Sequence, residues 1–341
     1  MPELERLVQA LLDPTLYPDS PREVEMVQTQ MSVLFMTGHY VYKIKKPVDL
    51  GYLDYTTLEK RRRFCHQEVD LNRRLSPDVY LEVTPIVEQN GRLAFGAEGD
   101  IVEYAVKMRQ LPADRMMDVL LSRNQVSEGM IRQVARKVAG FHRAAETNDD
   151  ISSYGGLDII RTNTGENFAQ MAPYIGAAFS RRDYDAIQDY TNAFAEANAS
   201  LFRKRISDGR IRDCHGDLHS AHICFANGIS IYDCIEFNYR FRYCDVAAEV
   251  AFLAMDLDFH GQPALSHAFV GAYVEESGDH ELLRLLDFYK SYFACVRGKV
   301  SCFKYDDRLV PEDERKKSLA TAGRYFELAT SYSRGRPGAS D

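Results

Sequence analysis

The sequence predicts an α+β protein in two parts, a small strand-rich lobe followed by a larger helical one. Two observations carry this. Short apolar runs with turn residues between them crowd the first hundred or so positions, and beyond Leu111-Pro112 the apolar residues recur at helical spacing instead. A chain of 341 residues, 45% of them hydrophobic, can fill one large core or two lobes sharing a cleft.

Taken in order, Leu4, Leu7, Val8 and Leu11 make an amphipathic helix. Glu3 and Glu5 stand where a signal peptide would be positive, so this opening is read as part of the folded protein. Residues 24–28 and 33–36 are strands, and Thr37-Gly38 is a two-residue turn into a third strand over 40–46 that Pro47 stops. A helix over 57–75 ends at Ser76-Pro77. Strands at 80–87 and 101–108 lie on either side of the Gln89-Asn90-Gly91 turn, giving five strands and one helix. In the second part Ile131, Val134, Val138 and Phe141 mark one helix face. Further helices cover about 181–205, 244–258, 264–276, 280–303 and 312–332. A strand pair, 223–225 and 229–235, interrupts them, joined at Asn227-Gly228. The expected division is 1–111, 112–333 and a disordered tail over 334–341.

Charge and composition narrow the function. A net charge of −8 argues against a nucleic-acid binder, and no run approaches a membrane span. The seven cysteines include no C-x-x-C pair. Cys214, Cys224, Cys234 and Cys244 recur every ten residues, and are read as small apolar residues of a protein in the reducing cytoplasm. Oligomeric state is left open.

The chemistry gathers at two places. If Asn227 and Gly228 form a two-residue type I′ loop, His222 faces Asp233 across the hairpin, with Asp217 five residues upstream in HGDLHSAH. A glycine turn carrying one Asp and a hairpin returning a second suits phosphoryl transfer: one carboxylate for an acceptor hydroxyl, one for the metal on the nucleotide phosphates. In the first part, Phe64, Glu68, Leu71 and Leu75 share one helical stripe, so a carboxylate stands in the face meant for the core and requires a cation. Lys43 and Lys45 point to one side of their strand, and the Thr37-Gly38 turn counts Lys43 opposite Ser32. Lys43 is paired with Glu68 as phosphate anchor, with Lys45 its rival.

His215-Gly216-Asp217-Leu218-His219, with His222 after it, resembles the HGDLHxxN catalytic loop of the aminoglycoside phosphotransferases. Tyr232 to Phe237 resembles their metal-binding Asp segment, and Tyr40-Val41-Tyr42-Lys43 their lysine strand, with Glu68 its partner. YKIKKPV, RRRFCHQEVDLNRRL and IEFNYRFRYCDVA are similar to an uncharacterised bacterial branch of that family, over about residues 24 to 304. The resemblance implies a bilobal protein-kinase-like fold with a hinge at Arg109-Gln110-Leu111. It implies ATP or GTP as donor, Mg²⁺ (or Mn²⁺) as cofactor, and a small-molecule acceptor. Asp217 would be the catalytic base, Asp233 the metal ligand with His222 beside it, Lys43 and Glu68 the phosphate anchor, and Asp245 the residue bracing the catalytic loop. Three departures stand out. No G-x-G-x-x-G precedes the lysine strand, only Thr29-Gln30-Met31-Ser32; no P-loop motif of the domain often fused to this branch occurs; and His222 replaces the family's metal-binding Asn.

The remaining residues have plainer readings. His215 orders the loop, His142 is a satisfied core residue, and Glu236 either contacts the metal from outside or caps a strand. Arg297 and Lys299 either meet an anionic group or, the simpler reading, form a solvated face. The acidic stretch from Asp245 to Asp287 leans toward a cationic acceptor. Two other functions use the same residues: a zinc hydrolase built on His215, His219 and His222, and a nucleotide-binding pseudokinase that regulates a partner through an altered metal position.

Overall fold

A computed structural model describes residues 2–96, 98–308 and 310–334; of the expected tail, 335–341 lie outside the described residues. The chain forms two compact units, Met1–Leu120 with Ala221–Tyr239, and Leu121–Ser220 with Arg240–Asp341. The division expected after residue 111 left 221–239 among the helices. These residues instead return to the strand-bearing unit, because a segment with little strand of its own must find hydrogen-bond partners elsewhere. It finds them there: Ser76 Oγ donates to the Ile231 carbonyl, and the Cys234 N–H donates to Asn72 Oδ1.

In the first unit, β1 (Glu25–Gln28), β2 (Ser32–Met36), β3 (Tyr40–Lys45), β4 (Tyr80–Gln89), β5 (Arg92–Phe95) and β6 (Asp100–Arg109) form one antiparallel sheet in the order β1-β2-β3-β6-β4-β5. The fourth through sixth strands hold a hairpin, β4–β5, that the sequence reading missed. Helix α1 (Pro2–Ala10) covers one face with Leu7, Val8 and nearby Leu11, packed on Phe35, Tyr42 and Ile44. Helix α2 (Leu58–Arg73), capped by the Thr57 side chain, covers the other with Cys65 and Val69 against Val41 and Val106. Alternation along β3 therefore sends Tyr42 and Ile44 toward α1, and Val41, Lys43 and Lys45 toward α2.

The remaining elements are α3 (Met117–Ser122), α4 (Glu128–Ala144), α5 (Asp149–Ser153), α6 (Leu157–Met171), α7 (Arg181–Ala197), α8 (Ala199–Ser207), β7 (Ile211–Asp213), β8 (Ile223–Cys224), β9 (Ser230–Ile231), α9 (Tyr239–Arg242), β10 (Tyr243–Asp245), α10 (Val246–Phe259), α11 (Pro263–Ser277), α12 (Leu286–Asp306) and α13 (Glu312–Ser333). The expected helix at 181–205 is two helices, and α6 was not foreseen. In the second unit α10 is buried all round from Val246 to Leu257, as its apolar composition dictates. Phe252 and Met255 join a core with Phe168, Ala294, Phe326 and Tyr332 from α6, α12 and α13. Gly298 permits the α12–α13 approach: a Cβ there would stand 2.7 Å from Phe326 Cε1. Among the described residues no helix is long and apolar enough to cross a membrane.

Candidate active site

Both lysines of β3 reach Glu68, which is fully buried on α2. Lys43 Nζ donates to Glu68 Oε1 at 2.8 Å and Lys45 Nζ to Oε2 at 2.6 Å. They differ in what else they meet. Lys45 is 1% exposed and also donates to Glu236, which accepts from the Tyr55 hydroxyl at 2.5 Å. Lys43 is the more open, at 13%, and its second partner is Asp233 Oδ1 at 2.8 Å, on a side chain 43% exposed. Burial opposes the charge on Lys43, but Asp233 and Glu68 outweigh it and hold its pKa well above the ordinary value. Lys45 is raised likewise, against burial, by Glu236 and Glu68, and the two lysines pull Glu68 below the usual carboxylate range. Two cations against three carboxylates leave this cluster with one net negative charge.

The strand register differs from the counted one. The β2–β3 connection turns one residue later, at Gly38-His39, which shifts the register by two, so Lys43 faces Leu34 and Ser32 faces Lys45. A shift of two residues keeps the same face, which is why the Lys43–Glu68 pair survives the error. Ser32 is buried in the Thr29–Ser32 turn, its N–H donating to Thr29 Oγ1. Arg109 ends β6, the Gln110 side chain accepts from the Gly38 N–H at 3.0 Å, and Leu111 packs against the α2 side of the sheet. All three lie inside the first unit, which runs on to Leu120.

At the second hairpin the error is one residue. Ile223 pairs with Ile231 and Cys224 with Ser230, so His222 faces Tyr232, whose N–H donates to the His222 carbonyl. The loop is longer than two residues, though Asn227 and Gly228 do take positive φ. The strand ends at Ile231 rather than 235. Asp233 nevertheless arrives beside His222, because its backbone is left-handed with φ of 65°. His222 Nε2 lies 3.6 Å from Asp233 Oδ2. A non-glycine residue at positive φ is held there against a cost of about 1–3 kcal/mol. The Asp233 N–H donates to the buried Tyr80 hydroxyl and the next N–H to Asn72. This strained, half-exposed carboxylate is the most marked backbone feature of the site. Glu236 is not a strand cap but the buried partner of Lys45 and Tyr55.

In the second unit, Asp217 lies in the loop after β7, following Gly216 at φ of 87°. Its N–H donates to His215 Nδ1 at 3.2 Å, and His219 Nε2 stands 3.7 Å from its Oδ2. The loop is braced by Glu249, not by Asp245 as expected. Glu249 Oε1 accepts from the His215 and Gly216 N–H groups at 2.8 and 2.7 Å, while Oε2 meets His142 Nε2 at 2.7 Å. Asp245 is consumed by Arg205, at 2.6 and 2.9 Å, and by capping α10 at the Ala247 N–H. Glu249 is one helical turn further on and so is the carboxylate that faces the loop. His142 is a satisfied core residue, also bonded to the Tyr273 hydroxyl. Burial lowers its pKa, but the Cys214 thiol and the Glu249 carboxylate beside it raise the net value to about 9. Arg297 and Lys299 are half-buried rather than solvated, and Arg297 Nε is buried without a hydrogen-bond partner. Sequence reasoning missed Glu249, Asn72, Tyr80 and the buried Arg61–Glu103 pair at 2.8 Å. Only Glu249 carried a signal, as an acid within the apolar first turns of α10.

A sheet unit with a buried lysine–carboxylate pair, and a helical unit carrying an HGD loop, define a protein-kinase-like α+β fold. A choline/ethanolamine kinase family protein from Mesorhizobium loti shares it: 96% of this chain and 99% of that one superpose with a TM-score of 0.51 at 12% identity. The chain belongs to the phosphotransferase enzyme family (APH), which it matches over residues 60–286. An uncharacterized protein of Mycobacterium tuberculosis and one of Mycobacterium bovis are each 30% identical to it over 310 residues, 91% of this chain and 59% of theirs. The chain thus spans about three-fifths of the length of these relatives.

Proposed function

We propose that the protein is an ATP- or GTP-dependent phosphotransferase that moves the γ-phosphate to a hydroxyl of a small-molecule acceptor. The observation that carries this is the Lys43 ammonium held between fully buried Glu68 and half-exposed Asp233. It presents a fixed, permanently charged donor that a triphosphate can engage, and positioning with charge neutralisation is most of what such catalysis needs. Asp217 orients the acceptor hydroxyl and takes its proton. Lys43 contacts the α- and β-phosphates, with Glu68 holding it in place. Arg109, Gln110 and Leu111 form the hinge beside the nucleotide.

The donor set fits a divalent cation: three carboxylates stand with two lysines in the cluster, and its most exposed carboxylate is Asp233. Asp233 would hold Mg²⁺ or Mn²⁺, with His222 beside it. When bound, the ion offsets the negative charge of the nucleotide phosphates. An imidazole nitrogen suits Mn²⁺ better than Mg²⁺.

The acidic stretch does not support a cationic acceptor, because its carboxylates are largely engaged. Asp245 and Asp279 hold Arg205, Asp256 accepts from the Ser220 N–H, Asp258 holds Lys290, and Glu275 and Glu276 meet Arg132 and Arg143. A screen of hydroxyl-bearing metabolites, following ADP or GDP release with Mg²⁺ or Mn²⁺, tests the proposal. Acceptor-dependent release that Asp217→Asn abolishes supports it. Nucleotide binding without transfer or hydrolysis would favour a pseudokinase, and stoichiometric tightly held zinc a hydrolase.

A further inference from the structure

The two lysines of β3 and the two acids of the 231–236 segment are matched in pairs. Asp233 accepts from Lys43 at 2.8 Å and Glu236 from Lys45, while Glu68 stands between the lysines with one carboxylate oxygen on each. Followed along its bonds, the cluster closes on itself: Asp233, Lys43, Glu68, Lys45, Glu236, and back to Asp233 through Ile235 and Cys234. Its two halves differ in access. Lys43 and Asp233 are 13 and 43% exposed, whereas Lys45 and Glu236 are 1 and 6% exposed. The open half can exchange its bonds for a ligand. The closed half is sealed, and there the Tyr55 hydroxyl also donates to Glu236, at 2.5 Å.

The main chain supplies the second observation. Asp233 sits at φ of 65°, a conformation that a non-glycine residue keeps only where its surroundings impose it. Ahead of it, Ser76 Oγ donates to the Ile231 carbonyl at 2.7 Å. At the turn itself, the Asp233 N–H donates to the Tyr80 hydroxyl at 3.2 Å and the Cys234 N–H to Asn72 Oδ1 at 2.9 Å. Asn72 is held in turn, its Nδ2 donating to the Glu68 carbonyl at 2.8 Å. Beyond the turn, Glu236 ties the segment to β3 through Lys45. When Lys43 turns to a phosphate it gives up Asp233, and the open half of the ring parts. Lys45 still holds Glu68 by Oε2 and still holds Glu236, so the closed half keeps the segment in place.

We infer that Glu236, held by Lys45 and Tyr55, is a positioning residue for Asp233: it keeps the metal-binding carboxylate in place beside α2 after Lys43 has moved to the nucleotide. The metal-binding role of Asp233 rests on the phosphotransferase reading; the clamp on its main chain does not.

The test uses the whole chain and two substitutions that separate reach from charge. Glu236→Asp keeps the charge but draws it back from Lys45 and Tyr55 by one methylene, and Glu236→Gln keeps the reach but loses the charge. Hydrogen exchange of the 231–236 peptide, read by mass spectrometry without metal or nucleotide, should rise in Glu236→Asp while peptides of β3 and β6 stay at wild-type rates. Affinity for Mn²⁺ in the presence of ADP, read from the electron spin resonance signal of the free ion, should fall about tenfold in Glu236→Asp, the lower end for losing an outer-shell partner, and should fall less in Glu236→Gln. Tyr55→Phe removes a single hydroxyl and stands in should Glu236→Asp not fold; both readings should move the same way in it, severalfold. Exchange at the wild-type rate with Mn²⁺ affinity within twofold of wild type overturns the proposal. So does a loss of affinity in Glu236→Gln that Glu236→Asp does not share, which would make Glu236 a charge rather than a clamp. Wild-type protein that binds no Mn²⁺, with exchange still raised in Glu236→Asp, would sink the metal reading while supporting the clamp.

Discussion

Replacing Lys45 by Met should unfold the first unit more easily than replacing Lys43, whereas nucleotide binding should show the opposite order. Lys45 is 1% exposed and its partners, Glu68 and Glu236, are 0 and 6% exposed. Its loss leaves Glu236 with only the Tyr55 hydroxyl and Glu68 with only Lys43. Breaking a buried pair by removing one partner costs about 3–5 kcal/mol. Loss of Lys43 leaves Glu68 bonded to Lys45, and Asp233 is exposed enough for water to solvate it. That cost is about 1.5 kcal/mol, the lower end for a hydrogen bond to a charged group. At roughly 2–4 °C per kcal/mol, the midpoint of thermal unfolding falls by about 6–20 °C for Lys45→Met and about 3–6 °C for Lys43→Met. The folded pKa of each lysine is raised, so this stability is fully present below about pH 10.4 and is lost as pH rises through the folded value. Melts at neutral pH therefore read all of it. Calorimetric titration with ATP and GTP provides the other half: Lys43→Met loses affinity, and Lys45→Met, where folded, keeps it. A Lys43 variant that is the less stable of the two, or a Lys45 variant that binds nucleotide less well, would refute the reasoning.

Asp217→Asn should preserve folding and nucleotide affinity and cut transfer by about 10²–10⁴-fold, the worth of a positioned base; transfer within twofold of wild type would remove Asp217 from that role. His222→Asn should shift the metal optimum from Mn²⁺ or Co²⁺ toward Mg²⁺, measured as ADP release across the ions, and an unchanged ranking would mean His222 is no ligand. The His142 pKa is raised from its ordinary value near 6.5 to about 9, so its contribution is fully present below about pH 6.5 and is lost as pH rises through 9. Unfolding midpoints of the second unit should fall across that window by an amount equivalent to about 2–3 kcal/mol. In His142→Gln the fall should be absent; the same slope in the variant would assign the titration to another group.

Local spacing carried a large part of this protein. The period of two put Lys43 and Lys45 on one face of β3, the helical stripe isolated Glu68, and HGDLH marked the loop of Asp217. Each depends on residues within one element, where backbone geometry alone decides direction. Register was another matter. It is set by turns whose length the sequence leaves open, and so Ser32 was paired with the wrong lysine and His222 with the wrong residue. The two errors had unequal consequences. The two-residue slip kept its face, whereas the one-residue slip would have parted His222 from Asp233 had the positive φ at Asp233 not turned the chain back. That turn depends on Tyr80 and Asn72, far away in sequence. Helix α6 was invisible for a related reason: its buried face includes Thr164 and Asn167, so its pattern reads as polar. Glu249 displaced Asp245 because Arg205, a distant residue, claims Asp245 first. Spacing determined which side chains share a face; only packing between elements decided which charge each of them meets.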